Sequence, residues 1–102
     1  MAAYLIADVT RIDDEPAYAA YRSGVPASLE QAGGRYLARG GSIEVLEGAW
    51  QPSRIVIVHF ESMQAAQRWW RSREYAKLKR LRQNSTRTNM VVVNGLAQGA
   101  RS

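Results

Sequence analysis

The side chains able to do acid–base work here are few, and three of them stand on stretches that read as strands: Asp8, Arg39 and His59. A histidine exchanges protons near neutral pH, a carboxylate can orient its ring, and a guanidinium can hold an anionic substrate or steady an enolate. Elimination points to His59 as the proton carrier. The chain has one histidine and no cysteine, and tyrosine or lysine would need a large pKa depression to act near neutrality. The catalytic expectation is therefore His59 as acid–base group and Arg39 as anion holder. Asp8 is expected to orient the imidazole where strand register brings the two together. A plainer reading stands beside it, with His59 a satisfied sheet-edge residue and Arg39 paired to Glu44, Glu47 or Glu61.

Other constellations are thinner. Arg39-Gly40-Gly41 offers backbone amides to an anion, yet no helix starts behind it and no phosphate-loop pattern is present; a bulge or turn accounts for the glycines. No metal and no tightly bound cofactor is expected, because one histidine and scattered carboxylates lack ligand spacing. Tyr21 either joins the core or directs its hydroxyl into a pocket, which makes it a substrate-binding candidate. Trp69 and Trp70 are adjacent on a helix and cannot face the same core. One of them belongs at a pocket mouth or subunit seam, where tryptophan is enriched.

The elements that must position these groups can be read along the chain. Residues 4–10 alternate as a strand with Leu5, Ala7 and Val9 on one face. Asp13-Asp14-Glu15-Pro16 then supplies a helix start. Tyr18, Tyr21, Val25, Leu29 and Ala32 make one helical stripe, with a kink expected near Arg22 to Pro26 and an end at Gly33-Gly34. Residues 35–39 form a short strand, 42–46 resume extended structure, and 47–53 form a loop with Trp50 and Pro52. Residues 54–60 are the clearest strand, apolar on both faces. Ser62 and Ser72 are placed to cap two helices, the second fading between Asn84 and Asn89. A last strand covers 90–93. The order β-α-β-β-α-β predicts an α+β, ferredoxin-like antiparallel sheet with its helices on one face. Its other face then carries either Val56, Val58 and Phe60 or Ile55 and Ile57, and burying that face calls for a second sheet. The first set is taken as the dimer face, with Val58→Asp expected to break it.

The composition bounds the rest. Of 102 residues, 46% are hydrophobic and 23% charged, which excludes a disordered chain and fits one domain over 1–96 with a frayed tail over 97–102. The first residues meet Asp8 and Arg11 too soon for a signal peptide, and no apolar run approaches the roughly 20 residues of a membrane span. With no cysteine, the expected location is cytoplasmic, without membrane contact. Net charge is +5, and eight of the 14 basic residues lie between Arg68 and Arg87 with Glu74 the one acid among them. That segment is a solvated face or a weak nucleic-acid footprint. Nucleic acid is not the expected main partner, because the strand over 54–60 is aliphatic where RNA-binding sheets of this order carry stacking rings.

Tyr36-Leu37-Ala38-Arg39-Gly40-Gly41, Val45-Leu46-Glu47-Gly48-Ala49-Trp50, Arg54 through Phe60, and Ser72-Arg73-Glu74-Tyr75 with Arg82 follow the opening strand, Tyr18 and Tyr21 in a fixed order. Together they resemble the domain of unknown function 1330 family, within the dimeric α/β-barrel superfamily, from about Ala3 to Leu96. The resemblance implies a homodimer whose two sheets face each other to form a barrel, with a small-molecule pocket in each subunit. Superfamily members include cofactor-free monooxygenases, haem-degrading enzymes, muconolactone isomerases and ligand binders, so no one reaction is implied. The position of His59 is more often acidic in that family. Within the shared segment Ser72 reads as a cap, Tyr75 as a core residue with a polar tip, and Arg82 as a group able to turn inward. Tyr75 and Arg82 join Tyr21 as substrate-binding candidates. The expected function is an enzyme or binder acting on an organic acid or enolisable carbonyl compound. The alternatives are a non-catalytic ligand-binding or assembly module, and weak nucleic-acid association through residues 68–87.

Overall fold

The computed structural model describes residues 1–96. Seven elements follow one another: β1 (Ala3–Ile12), α1 (Glu15–Gln31), β2 (Arg35–Arg39), β3 (Ile55–Phe60), α2 (Met63–Arg71), α3 (Arg73–Ser85) and β4 (Thr86–Asn94). The strands form one antiparallel sheet in the order β2-β3-β1-β4. This is the α+β, ferredoxin-like arrangement that the alternation of patterns predicts. The tail over 97–102, where fraying is expected, lies outside the described residues.

Each helix starts where its capping residue dictates. Asp14 accepts the Ala17 N–H at 3.0 Å with Pro16 in the first turn of α1, and Ser62 accepts the Ala65 N–H at 3.0 Å to open α2. Ser72 serves two helices: its hydroxyl accepts the Tyr75 N–H at 3.2 Å and donates to the Trp69 carbonyl at 2.8 Å. The expected fade of α3 into a loop does not occur, and β4 begins directly after Ser85. There Thr86 donates its N–H and its hydroxyl to the Arg82 carbonyl, and the Ser85 carbonyl accepts the N–H groups of Asp13 and Asp14, so two of the last four carbonyls are satisfied without connecting residues.

Alternation divides the sheet. Leu5, Ala7, Val58 and Phe60 turn toward the helices and pack with Val25, Leu29, Trp69 and Tyr75 in the core, with Val56, Met90 and Val92 against it. The open face carries Tyr4, Ile6, Ile55, Ile57, His59, Val91 and Val93, the partners in register across β1, β3 and β4. This corrects the choice of dimer face: Val58 is 2% exposed and Phe60 fully buried in the subunit's own core, so Ile55 and Ile57 belong to the unpaired face. Residues 42–46 are also not a strand. The chain leaves the sheet at Gly40, where φ is +66°, and runs without regular structure to Arg54. That backbone conformation at Gly40 calls for glycine, and a Cβ there would also require the Arg54 guanidinium, the far end of a flexible side chain, to shift.

Candidate functional site

Between α1 and the helix-facing side of the sheet lies a cavity of about 40 Å³. Its walls are aliphatic and aromatic, from Val25 and Leu29 on α1 to Val56 and Val58 on β3. Its charged groups are all of one sign. Arg22, Arg39, Arg54 and Arg82 reach it and no aspartate or glutamate does. Among the described residues the one ion pair joins Arg11 to Asp13, away from this place. Two larger grooves, about 210 Å³ beside α2 and β4 and about 270 Å³ beside Ser28 and Glu74, lack such a convergence of charge.

Local irregularities put the arginines there. Tyr36 pairs with Val58, but Ala38 pairs with Ile57, so Leu37 is an extra residue in β2. The bulge brings Tyr36 and Arg39, three positions apart, onto the same face. The Arg39 guanidinium lies 4.5 Å from the Tyr36 ring centre, a cation–π distance. It also donates to the Arg22 carbonyl at 3.0 Å. That carbonyl is available because Pro26, four residues on and inside α1, has no N–H to give it. α1 nonetheless runs unbroken from Glu15 to Gln31. Arg54 donates from Nε to the Tyr18 hydroxyl at 3.0 Å.

Deeper in, three substrate-binding candidates meet. The Tyr21 and Tyr75 hydroxyls are 2.9 Å apart, and Arg82 Nε donates to the Tyr75 hydroxyl at 3.3 Å. Tyr75 is fully buried and stacks on Trp69 with ring centres 3.9 Å apart. Trp69 in turn donates to the Ser28 hydroxyl at 3.1 Å. Burial, reinforced by the Tyr75 oxygen, holds the Tyr21 phenol well above the ordinary tyrosine range. Burial draws the Arg82 guanidinium down, but the Tyr75 and Tyr21 oxygens outweigh it and the net direction is up. Tyr21 thus stays protonated beside a permanent cation.

The other three candidates are not brought together. Arg39 faces the cavity, whereas Asp8 and His59 lie on the open face of the sheet. Even there they are apart, since Asp8 aligns with Ile55 and His59 with Tyr4. Four strand positions separate them, about 13 Å at the rise of a β-strand. Asp8 therefore cannot orient the imidazole within one subunit; the register settles what alternation alone left open. His59 instead packs edge-to-face with the Tyr4 ring, their centres 5.7 Å apart. Asp8 is 5% exposed, accepts the Trp50 indole N–H at 3.0 Å, and keeps its second oxygen, Oδ1, buried without a donor. Trp70 is half-buried beside the β4 groove while Trp69 fills the core, which resolves the adjacent tryptophans.

Arg54, Tyr18 and Tyr36 were not singled out by residue type. Arg54 opens the most apolar strand in the chain, the one clue that a charge there is aimed at something. The pairing of Pro26 with the carbonyl of Arg22 was legible as a defect, but its long-range donor was not.

Residues 2–96 match the family model described as Domain of unknown function (DUF1330). No curated protein matches the chain. Among solved structures, a protein of unknown function from Rhodopseudomonas palustris superposes with a TM-score of 0.75 at 19% identity, covering 94% of this chain and 83% of that one. SnoaB from Streptomyces nogalater, described as a cofactor-independent oxygenase, gives 0.66 at 8% identity and covers 94% of each chain. A dimeric ferredoxin-like protein of unknown function from Jannaschia gives 0.65 at 11% identity, over 93% of this chain and 100% of that one. At these identities the likeness establishes the fold alone.

Proposed function

We propose that this chain, which belongs to the DUF1330 family, is a homodimeric small-molecule protein whose cavity receives an organic acid or enolisable carbonyl compound without a tightly bound cofactor. One observation carries the reading: four arginines converge on an apolar cavity that no carboxylate enters. Guanidinium groups brought together without counter-charge repel one another, and an anionic ligand relieves that repulsion. Arg39 and Arg54 stand where they can take a carboxylate at the rim, with Tyr21, Tyr75 and Arg82 further in. The cofactor-independent oxygenase of the same fold is a precedent for chemistry on bare substrate in such a frame.

The open sheet face supports the second subunit. It presents Ile57, Ile6 and Val91 in one cross-strand row with Val93 next along β4, the two valines at least half exposed, and a protein of this fold is described as dimeric. Asp8 and His59 lie on that shared face, so His59 remains the proposed carrier of any proton chemistry there and is separate from the cavity.

Titration of isotope-labelled protein with small carboxylic acids tests the site. Ligand-induced shifts should centre on Val25, Leu29 and Val58. Arg39→Met should weaken binding at least tenfold, whereas His59→Gln should leave it unchanged. Shifts confined to the open face, or an Arg39→Met variant that binds as well as wild type, would sink the cavity as the site.

A further inference from the structure

We propose that Arg82, Tyr75 and Tyr21 form a one-way hydrogen-bond relay whose last hydrogen, on the Tyr21 hydroxyl, makes the cavity select oxo acids over plain acids. This rests on the cavity being the ligand site. A guanidinium has donors and no acceptor, so in the 3.3 Å contact the Tyr75 oxygen must accept from Arg82. Tyr75 then has its own hydrogen to place. Among the described residues the acceptor within reach is the Tyr21 oxygen at 2.9 Å. Tyr21 is left with its hydrogen unused, and Tyr21 is the member of the tyrosine pair that lines the cavity.

The opposite polarity fails on the same count. If Tyr21 donated to Tyr75, the Tyr75 oxygen would receive two donors while its own O–H, on a residue with no exposed surface, pointed at nothing. A buried donor without an acceptor keeps its full desolvation penalty and is destabilising. The relay therefore runs outward from the cation, each bond polarising the next. It ends as a preorganised donor for a carbonyl oxygen, and a stronger one for an enolate. Burial keeps Tyr21 in its protonated, donating form through the neutral range.

Size and charge define the ligand. An interior of about 40 Å³ accepts the carbonyl end of a short molecule, and its carboxylate stays at the rim with Arg39 and Arg54. A short 3-oxo acid carries both groups. Tyr21 is in this scheme the specificity-determining residue, and Tyr75 and Arg82 are positioning residues behind it.

Acetoacetate and butyrate have the same chain length and differ by the 3-oxo group, which makes them the probes. Dissociation constants for both are read by NMR titration of the intact protein. Wild type should bind acetoacetate at least tenfold more tightly. Tyr21→Phe should bring acetoacetate to the level of butyrate and leave butyrate itself unchanged, a pattern that lost packing would not produce because packing serves both ligands. Should Tyr21→Phe fail to fold, Tyr75→Phe reads the relay from behind and should cut the preference at least threefold. If both acids bind wild type equally, or the preference survives both substitutions, the relay is wrong while the cavity stands as the site. If neither acid binds wild type, the cavity reading fails and takes this inference with it.

Discussion

Tyr21 sits where a phenolate would be poorly solvated, and that has a consequence at high pH. Its pKa in the folded protein is raised above the unfolded value of about 10, so the unfolded chain loses its proton first. The associated stability is fully present below pH 10 and drains away as pH climbs toward the folded value, at up to about 1.4 kcal/mol per pH unit. Denaturant unfolding at pH 9, 10 and 11 should show this fall, and Tyr21→Phe should flatten it; an equal slope in the variant would rule Tyr21 out as the source. Individual residues were unevenly legible. The inward-facing position of Tyr21 was legible from a helical stripe, though not whether it joins the core or a pocket, and Tyr75 and Arg82 came with the family resemblance. The grouping of Asp8, Arg39 and His59 did not survive, because one extra residue at Leu37 turns Arg39 to the other side of the sheet. A single-residue slip inverts every facing assignment beyond it, and nothing local in Tyr36-Leu37-Ala38-Arg39 announces it.

Two elements carry predictions of opposite sign. Ser72 ends α2 and begins α3 with one hydroxyl, so Ser72→Ala removes an N-cap and one of the two donors to the Trp69 carbonyl, which keeps the backbone N–H of residue 72. Stability should fall by about 1–2 kcal/mol in chemical denaturation, and a loss below about 0.3 kcal/mol would mean that water replaces the hydroxyl. Pro26 works the other way. Pro26→Ala supplies an N–H to the Arg22 carbonyl, adding a helix bond and displacing Arg39 from it. The full penalty of a mid-helix proline is about 3 kcal/mol. Arg39 already meets part of it and proline restrains the unfolded chain, so a gain on the order of 1 kcal/mol is expected. Acid binding should weaken at the same time; a variant both more stable and equally tight in binding would contradict the anchoring of Arg39. Helix starts were legible because Asp14, Ser62 and Ser72 act locally. The end of α3 was not, since its closing bonds, from Thr86 to the Arg82 carbonyl and from the distant Asp13 and Asp14 N–H groups to the Ser85 carbonyl, made a connecting loop unnecessary. The path from Gly40 to Arg54 was misread in part, as alternation in Ser42 to Leu46 imitates a strand that has nothing to pair with.

At the scale of the molecule, the element order and the closed core were legible from periodicity, and the identity of the two sheet faces was not. Both faces of β3 are aliphatic, so only its pairing with β1 and the placement of the helices separate Val56, Val58 and Phe60 from Ile55 and Ile57. The test of assembly moves accordingly. Ile57→Asp would set an unpaired charge on the face proposed to meet a second subunit, opposing association by several kcal/mol while sparing the core. Sedimentation should show a folded monomer for the variant and a dimer for wild type at micromolar concentration; a wild-type monomer would remove the homodimer. The uncompensated arginines around the cavity also tie folding to the salts in the tube. An anion that enters only the folded form raises stability by about 2.7 kcal/mol at a hundredfold excess over its dissociation constant. For a domain of this size each kcal/mol is roughly 4–8 °C of melting temperature. A set of melting curves recorded in different sodium salts would therefore rank anions by their fit to the proposed site.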